Sequence, residues 1–294
     1  MNDPASLTFE SERGRLMALA YRMLGERAAA EDVVQNAWLK WSAADQTAIH
    51  TPAAWLTTVT TRLAIDTLKS ARHAREVYVG VWLPEPVLDD PDRGPDTPEE
   101  ILARTETVEL ALLWAMERLG PDERAAFILR EAFDMDYADI AETLEKSEPA
   151  CRQLVARAKK RVNEKSPKFN APAAEVTDLL TRFMQAVVAG NKTEVLSLLA
   201  PGALAFSDGG GKARAALRPL VGADDIASVF LSIVARNSGL QKPHWVNANG
   251  KPALASLQGE DSDILVTLAP DGEGRIAWIY MMRNPDKLAA AQPT

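Results

Sequence analysis

Apolar residues recur every three or four positions along the first 75 residues, the spacing of helices that bury one face. They predict one helix that stops at Gly25, a second from Ala28 to about Ser42, and a third that starts after Thr51-Pro52. Threonine can cap that third helix, and proline suits its first turn. The apolar positions of the three helices are Leu16, Leu19, Ala20, Met23 and Leu24; Val33, Val34, Ala37, Trp38 and Trp41; and Trp55, Leu56, Val59, Leu63, Ile65 and Leu68.

A proline-rich segment from about Glu76 to Pro98 breaks this periodicity. It contains five prolines, two glycines and a run of acids, which is typical of an extended linker, and it includes the apolar run Val81-Trp82-Leu83. Helical spacing returns from about Ile101 to Lys165. It predicts helices over Glu109–Leu119, Asp122–Phe133 and Tyr137–Leu144, and a long one from near Ser147. The last two helices, joined by a short turn, form a helix-turn-helix candidate.

The last of these helices divides into a buried and an exposed side. Its apolar stripe, at spacings of four, three and four, is Cys151, Val155, Ala158 and Val162. Its polar side offers candidate DNA contacts, which are Glu148, Arg152, Gln153, Arg157 and Lys160. In the major groove arginine pairs with guanine and glutamine with adenine. The alternative is an ordinary amphipathic helix with a solvated basic face.

The pattern changes again after a second linker at residues 166–174. Two helices, about Glu175–Ala189 and Thr193–Leu199, lead into short apolar runs bounded by turn residues. The strand candidates are Ala203–Phe206, Ala213–Leu217, His244–Ala248, Ala253–Gln258, Ile264–Leu268 and Arg275–Met282, with a helix near Asp224–Ala235. Helices followed by an antiparallel meander indicate an α+β domain.

The length of 294 residues fits two or three domains, and 47% hydrophobic and 25% charged residues are ordinary values for a globular protein. No apolar run reaches the roughly 20 residues of a membrane span. The N-terminus shows no signal-peptide core. We therefore expect a cytoplasmic protein with no membrane partner. The single cysteine, Cys151, excludes an internal disulfide and cannot by itself make a metal site.

The net charge of −8 is unusual for a protein that binds nucleic acid, because phosphate neutralisation needs lysine and arginine. The basic residues are, however, concentrated in one segment, as Arg152, Arg157, Lys159, Lys160, Arg161 and Lys165. An acidic chain with one basic helix should bind free DNA poorly. It should need a larger partner to hold it there.

Two segments resemble the extracytoplasmic-function group of sigma-70 family RNA polymerase sigma factors. The likeness to region 4 lies in LGPDERAAFILREAFDMDYADIAETLEKSEPACRQLVARAKKRV (119–162). The likeness to region 2 covers residues 9–75, notably RMLGERAAAEDVVQNAWLKW (22–41) and TPAAWLTTVTTRLAIDTLKSARHAR (51–75). The resemblance implies an alternative sigma factor that binds core RNA polymerase and directs promoter recognition. A one-component, ligand-sensing helix-turn-helix regulator is the alternative.

The resemblance also implies roles for surface residues. In the family, the second helix docks on the clamp coiled coil of the polymerase; its polar residues here are Asp32, Gln35 and Asn36. A plain solvated face is the alternative for that helix. The third helix corresponds to the part that holds the melted −10 element, with candidates Arg62, Asp66, Lys69, Arg72 and Arg75. Region 4 would meet the polymerase flap and read the −35 element through the helix-turn-helix residues.

Three short strings resemble a sigma subgroup with a fused SnoaL-like (NTF2-like) domain. They are Trp82-Leu83-Pro84-Glu85-Pro86, Asp208-Gly209-Gly210-Gly211-Lys212 and Asn284-Pro285-Asp286-Lys287-Leu288. The resemblance implies two all-α sigma domains and a cone-shaped α+β domain that regulates them in place of a separate anti-sigma protein. We expect region 2 at 1–76, a linker at 77–105, region 4 at 106–165, a linker at 166–174 and the regulatory domain at 175–294. A further hypothesis is that Trp82-Leu83 docks on the regulatory domain.

No enzymatic chemistry is predicted. The glycine run is not a phosphate-binding loop, because Phe206 stands where the first glycine should be and Ala213 replaces serine or threonine. It is either a hairpin turn or a regulatory contact. The titratable candidates of the C-terminal domain are His244, Asp208, Asp224, Asp225 and Asp261. Their spacing singles out no acid–base pair, so no catalytic residue, metal or cofactor is predicted. A small effector bound there without turnover stays open.

Overall fold

A computed structural model describes residues 4–89, 109–163, 167, 171–237, 243–257 and 263–291, with side chains except at 71–76, 89, 237 and 290. Of these, residues 4–76 and 113–163 form one compact unit, and residues 77–89, 109–112 and 171–291 form a second. The described part of the first predicted linker therefore groups with the C-terminal domain. The linker residues 90–105, Lys165 and Asp261 lie outside the described residues.

The three predicted helices at the start of the chain are confirmed. They are α1 (Pro4–Leu24), α2 (Arg27–Ala43) and α3 (Pro52–Glu76). Side chains with no solvent exposure fill the space between them, among them Leu16, Leu19, Met23 and Leu56. Gly25 ends α1 with φ at 71°, a conformation that favours glycine, and donates its N–H to the Tyr21 carbonyl at 2.8 Å.

The predicted helix-turn-helix is also present. The helices of this part of the chain are α4 (Leu110–Met116), α5 (Pro121–Glu131), α6 (Tyr137–Leu144) and α7 (Glu148–Asn163). Asp136 caps α6 by accepting the Asp139 N–H at 2.9 Å. Glu145 makes the turn with φ at 54°, in the left-handed region. The predicted stripe on α7 is buried, and Leu154 joins it.

Two predicted helix boundaries in this segment are wrong. The helix expected over Glu109–Leu119 ends at Met116, because the next N–H groups bond three residues back; Leu119 N donates to the Met116 carbonyl at 2.9 Å. The helix expected from Asp122 to Phe133 covers Pro121–Glu131 instead. Proline fits the first position of that helix, since the N–H that it lacks would have no partner there.

The second unit is built on a seven-stranded mixed sheet. Its strands are β1 (Leu88–Asp89), β2 (Leu199–Asp208), β3 (Leu220–Val221), β4 (His244–Ala248), β5 (Lys251–Ser256), β6 (Ile264–Pro270) and β7 (Ile276–Met282). The strand order is β1-β4-β5-β6-β7-β2-β3, with β2 and β7 parallel and the other pairs antiparallel. The parallel pair places the carboxyl ends of β2 and β7 side by side, which positions the site described below.

Helices cover one face of this sheet. The helices of the second unit are α8 (Ala173–Val188), α9 (Lys192–Leu198), α10 (Ala223–Asn237) and α11 (Pro285–Ala291). The fully buried residues between helices and sheet include Leu180, Phe183, Val195, Ile226 and Ile276. The expected fold class, two all-α segments followed by an α+β domain, is confirmed. Within the described ranges, no helix is long and apolar enough to cross a lipid bilayer.

The strand predicted at Ala213–Leu217 is wrong. Lys212 and Ala213 both donate their N–H groups to the Gly209 carbonyl at 2.9 Å, which folds the glycine run into a tight turn. Ala216 then bonds the Ser207 side chain at 2.8 Å instead of a strand backbone. The edge strand follows later, as the two-residue β3. Strand β1, which the first linker adds to the opposite edge of the sheet, was not predicted.

Candidate functional site

The exposed face of α7 carries the residues predicted to read DNA. Glu148, Arg152 and Gln153 lie on its first two turns, and all three are exposed. Arg152 donates to Glu148 Oε2 at 3.0 Å, and its guanidinium carbon lies 4.2 Å from the centre of the Tyr137 ring. Carboxylate and ring together hold Arg152 near the N-terminus of the helix, the end that recognition helices present to base edges.

Glu123 connects α5 to the basic side of α7. It accepts the Gly120 N–H at 3.2 Å, Arg157 Nε at 3.0 Å and Arg161 Nη1 at 2.6 Å. Burial raises the pKa of this carboxyl, but the hydrogen bonds and the two guanidinium charges outweigh burial and hold the pKa below its ordinary value. Arg157, predicted as a DNA contact, therefore also fixes α7 on its scaffold.

The remaining basic residues of α7 lie on its exposed side. Lys160 is exposed, and Lys159 forms a half-exposed ion pair with Glu131 at 2.9 Å. Surface ion pairs of this kind contribute about 0–1 kcal/mol, so they give way readily to a phosphate group.

The outer face of α2 has the character of a docking surface. Asp32, Gln35 and Asn36 are all exposed, and Asn36 Nδ2 donates to the Asp32 carbonyl at 2.9 Å. Leu39, one turn after Gln35, is 57% exposed on the same side of the helix. A leucine among polar side chains is the composition expected of a helix that packs on another helix of a partner.

The residues predicted to hold the −10 strand are only partly available on α3. Arg62 donates to the carbonyls of Thr143 and Glu142, each at 3.0 Å, and pairs with Glu145 at 3.0 Å. Arg62 is therefore bound to the C-terminal end of α6. Asp66 and Lys69 are exposed on the next turn, while the side chains of Arg72 and Arg75 lie outside the described residues.

A second contact fastens α1 to α5. Arg124 is 1% exposed, donates through Nε to the Arg22 carbonyl at 3.1 Å and pairs with Glu117. The guanidinium of Arg22 lies over the Phe133 ring at 5.4 Å. The helices that resemble region 2 are thus packed directly against those that resemble region 4.

In the second unit, one buried carboxylate lies at the meeting point of the three short strings that resemble the SnoaL-like sigma subgroup. Asp208 ends β2 with 0% exposure and accepts four hydrogen bonds. Its Oδ1 accepts Tyr78 Oη at 2.6 Å and Gly210 N at 2.9 Å. Its Oδ2 accepts Leu83 N at 2.9 Å and Lys287 Nζ at 2.8 Å. Such a carboxylate is fully satisfied, and two of its donors come from the linker.

Lys287 completes this arrangement from α11. Its ammonium group also donates to the Leu83 carbonyl at 2.5 Å and lies 4.2 Å from the centre of the Trp82 ring. Asn284 donates to Tyr78 Oη at 2.9 Å. We name the set Tyr78, Trp82, Leu83, Asp208, Asn284 and Lys287 the linker clasp.

The glycine run is required by the close approach of its neighbours. Gly210 has φ at 60°, and a β-carbon there would lie 2.4 Å from Asn284 Nδ2. Gly211 has φ at 72°, and a β-carbon there would lie 3.3 Å from Val79 Cβ. Lys212, next in the run, pairs with Asp286 at 2.7 Å on the surface. The run is therefore both a tight turn and a contact with the linker.

The linker continues from the clasp to the far edge of the sheet. Leu83, Pro84, Glu85 and Pro86 are buried. Val87 and Asn249 exchange two hydrogen bonds, at 2.9 Å from Val87 N to Asn249 Oδ1 and at 2.8 Å from Asn249 N to the Val87 carbonyl. Strand β1 then pairs with β4. The linker is thus bound along its length from Tyr78 to Asp89.

The structure brings the three strings together, as the hypothesis of a docked Trp82-Leu83 run requires. Two further residues that hold the linker in place, Tyr78 and Asn249, were not predicted from the sequence. They belong to no motif, although an aromatic residue in a proline-rich linker is a weak signal for an ordered contact. Pro285 begins α11, the helix that carries Lys287. Among the described residues, no cluster of histidine, cysteine or acidic side chains is arranged to hold a metal ion.

Comparison with known proteins gives matches along both units. Residues 8–74 match the family Sigma-70 region 2, and residues 109–162 match Sigma-70, region 4. The chain is 37% identical to the ECF RNA polymerase sigma factor SigJ of Mycobacterium tuberculosis, over 97% of this chain and 96% of that protein. It is 33% identical to the probable ECF RNA polymerase sigma factor SigI of the same bacterium, over 98% and 96%. The crystal structure of SigJ superposes with a TM-score of 0.77 at 34% identity, over 97% and 99% of the two chains.

Proposed function

The chain belongs to the extracytoplasmic-function sigma factors, and from that premise we propose that its C-terminal domain regulates it by holding the linker between regions 2 and 4. As a sigma factor it binds core RNA polymerase and directs transcription initiation at promoters. A one-component regulator would need no region 2, whereas residues 8–74 match that region. The clasp carries the proposal, because it fastens the linker to the appended domain through a buried charge pair.

The distance between promoter elements supports a regulatory role for the linker. Elements centred near −10 and −35 are about 25 base pairs apart, which is about 85 Å of duplex at 3.4 Å per base pair. Helix α3 has 25 residues and is about 37 Å long. Regions 2 and 4, packed against each other through Arg62 and Arg124, therefore cannot occupy both elements at once. The contacts between α3 and α6 have to open when the promoter is bound.

Separation of region 2 from region 4 requires the linker between them to extend. The docked segment from Tyr78 to Asp89 corresponds to about 40 Å of extended chain at 3.3–3.6 Å per residue. While it is bound along the C-terminal domain, its path is fixed. Releasing it lengthens the tether between the two promoter-binding regions, so the clasp favours the closed, inactive arrangement.

Residue roles follow from the exposed surfaces. Asp32, Gln35 and Asn36, with Leu39, dock on the polymerase clamp. Asp66 and Lys69 meet the melted −10 strand, and Arg62 joins them once it leaves α6. Glu148, Arg152 and Gln153 read the −35 duplex, with Arg157 and Lys160 at phosphates. This role requires no covalent chemistry by the chain and places it in the cytoplasm, where core RNA polymerase works.

Run-off transcription by the full chain tests the proposal. At limiting sigma factor and with core RNA polymerase, Lys287→Met should give more promoter-specific transcript than wild type, because it breaks the clasp. Lys212→Met is the matched control; it removes a surface ion pair of the same residue type and should transcribe as wild type does. Equal or lower transcription by Lys287→Met, with its binding to core RNA polymerase intact, would contradict the inhibitory role of the clasp.

A further inference from the structure

A cavity of about 350 Å³ lies in the C-terminal domain between α10, β2, β7 and the segment before β3. Nine of its fourteen lining residues are apolar, among them Phe230, Ile233 and Met281. Its volume falls at the small end of the range for small-molecule sites, and an apolar wall with a few polar groups is their usual composition.

The polar part of this wall is positively charged. Three of the lining residues are arginines, Arg214, Arg236 and Arg283, and none of the lining residues is acidic. Within the described residues, neither Arg214 nor Arg236 forms an ion pair. Three arginines among the lining residues of one apolar cavity are unexpected in a chain of net charge −8, and the side chains of Arg214 and Arg236 are exposed to solvent. Their planar donors match the geometry of a carboxylate.

We propose that this cavity binds a small organic molecule with an apolar body and one carboxylate group. The apolar body lies against α10 and the sheet, at Phe230 and Ile233, and the carboxylate meets Arg236 and Arg214. A polyphosphate does not fit this wall, because most of its surface would lie against apolar side chains that cannot solvate it.

The cavity and the linker clasp are connected through the ends of β2 and β7. Two of its lining residues, Ser207 and Arg283, precede the clasp residues Asp208 and Asn284 in the chain. The Arg283 N–H donates to the Asp208 carbonyl at 2.7 Å, and its side chain donates to the Arg214 carbonyl at 2.7 Å. Arg283 therefore bridges the two ends of the segment that carries the glycine turn, Asp208 and Arg214. A ligand carboxylate that draws Arg214 inward acts on this segment. This effect on the linker rests on the proposed function, whereas the binding itself does not.

Calorimetric titration of the full chain with sodium decanoate, and in parallel with decanol, tests the site. Decanoate should bind at least tenfold more tightly than decanol, because only the acid offers a charge-assisted hydrogen bond to arginine. Arg236→Gln should weaken decanoate about tenfold to a hundredfold, the range for a hydrogen bond to a charged group. Arg218→Gln, an exposed arginine outside the cavity, is the matched control and should not change the affinity.

Ser232→Trp provides an independent variant, since it fills the cavity without altering its charge and should abolish binding. Equal affinities for decanoate and decanol, undiminished binding by Arg236→Gln, or no binding of decanoate at all would overturn the proposal. Hydrogen exchange of residues 78–89 is measured in the same samples. Decanoate that binds as predicted but leaves this exchange unchanged would overturn only the coupling to the linker, and the clasp itself is tested by its own variants.

Discussion

Removing the ammonium group of Lys287 should release the linker from the C-terminal domain. The side chain is 9% exposed and pairs at 2.8 Å with an Asp208 carboxylate that is 0% exposed. Lys287→Met keeps most of the volume but leaves that carboxylate buried without its cation, and it also removes the bond to the Leu83 carbonyl. Breaking a buried pair by removing one partner costs about 3–5 kcal/mol.

This energy sets the size of the expected effect. At 1.36 kcal/mol per factor of ten, opening of the linker becomes on the order of 10²–10⁴ times more frequent. The Leu83 N–H reports it directly, because that group donates to Asp208 and exchanges with solvent only when the clasp opens. Hydrogen exchange of the peptide covering residues 78–89 should therefore accelerate by that factor.

Two internal references make the measurement specific. Lys212→Met breaks a pair whose side chains are 59% and 65% exposed, so exchange of the linker should stay close to that of wild type. Residues of β6, in the core of the same unit, report global unfolding and should keep their protection in both variants. Unchanged Leu83 exchange in Lys287→Met would refute the view that this lysine holds the linker.

Three further predictions concern other parts of the chain. Glu123→Gln should destabilise the first unit at neutral pH. The pKa of Glu123 is lower in the folded protein than its ordinary value, so the stability that its charge adds is present above the ordinary pKa and is lost as pH falls through the folded-state pKa. Thermal melts of variant and wild type should therefore converge in acid. Gly210→Ala should lower the thermal midpoint more than Gly250→Ala, since both have positive φ but only Gly210 would direct its β-carbon into a neighbour. Gln153→Ala should relax base preference at one −35 position, whereas Lys160→Ala should weaken binding to all sequences and reduce its salt dependence, as promoter-binding titrations of the holoenzyme would detect. Uniform weakening of binding by Gln153→Ala, together with a change of base preference in Lys160→Ala, would contradict the roles assigned to these two residues of α7.

The helical part of the fold follows largely from the sequence. Long stripes such as Leu16 to Leu24 and Cys151 to Val162 repeat over several turns, so local periodicity alone determines which side is buried. Short strands offer too few positions for such a signal. The segment at Ala213–Leu217 has apolar residues but bonds a side chain, and β1 is formed by two linker residues whose partner lies about 160 positions away.

The candidate site was predictable only in part, for a related reason. The three strings of the clasp were recognised by resemblance, but which of their atoms meet depends on the parallel pairing of β2 and β7, which sequence does not reveal. Arg62 and Arg157 were expected to face DNA, and both also hold protein groups. A basic side chain looks the same in sequence whether its partner is a phosphate or a carbonyl.

A reversible covalent lock tests the central claim most directly. Gly211 faces Val79 of the linker, and a β-carbon built on Gly211 would lie 3.3 Å from Val79 Cβ, just short of the disulfide range of about 3.5–4.5 Å. Val79→Cys combined with Gly211→Cys should therefore tie the linker to the C-terminal domain. Cysteine is strained at the positive φ of Gly211, so the single variant Gly211→Cys is the control for that strain. The native Cys151 does not compete, because it is buried and burial raises the pKa of its thiol.

The measurement is run-off transcription by the oxidised double variant with core RNA polymerase, before and after addition of reductant. The account predicts little transcript while the disulfide is intact and recovery on reduction, with no response to reductant from wild type or from either single variant. As much transcript from the fully oxidised protein as from the reduced protein would contradict the claim that release of the linker permits initiation.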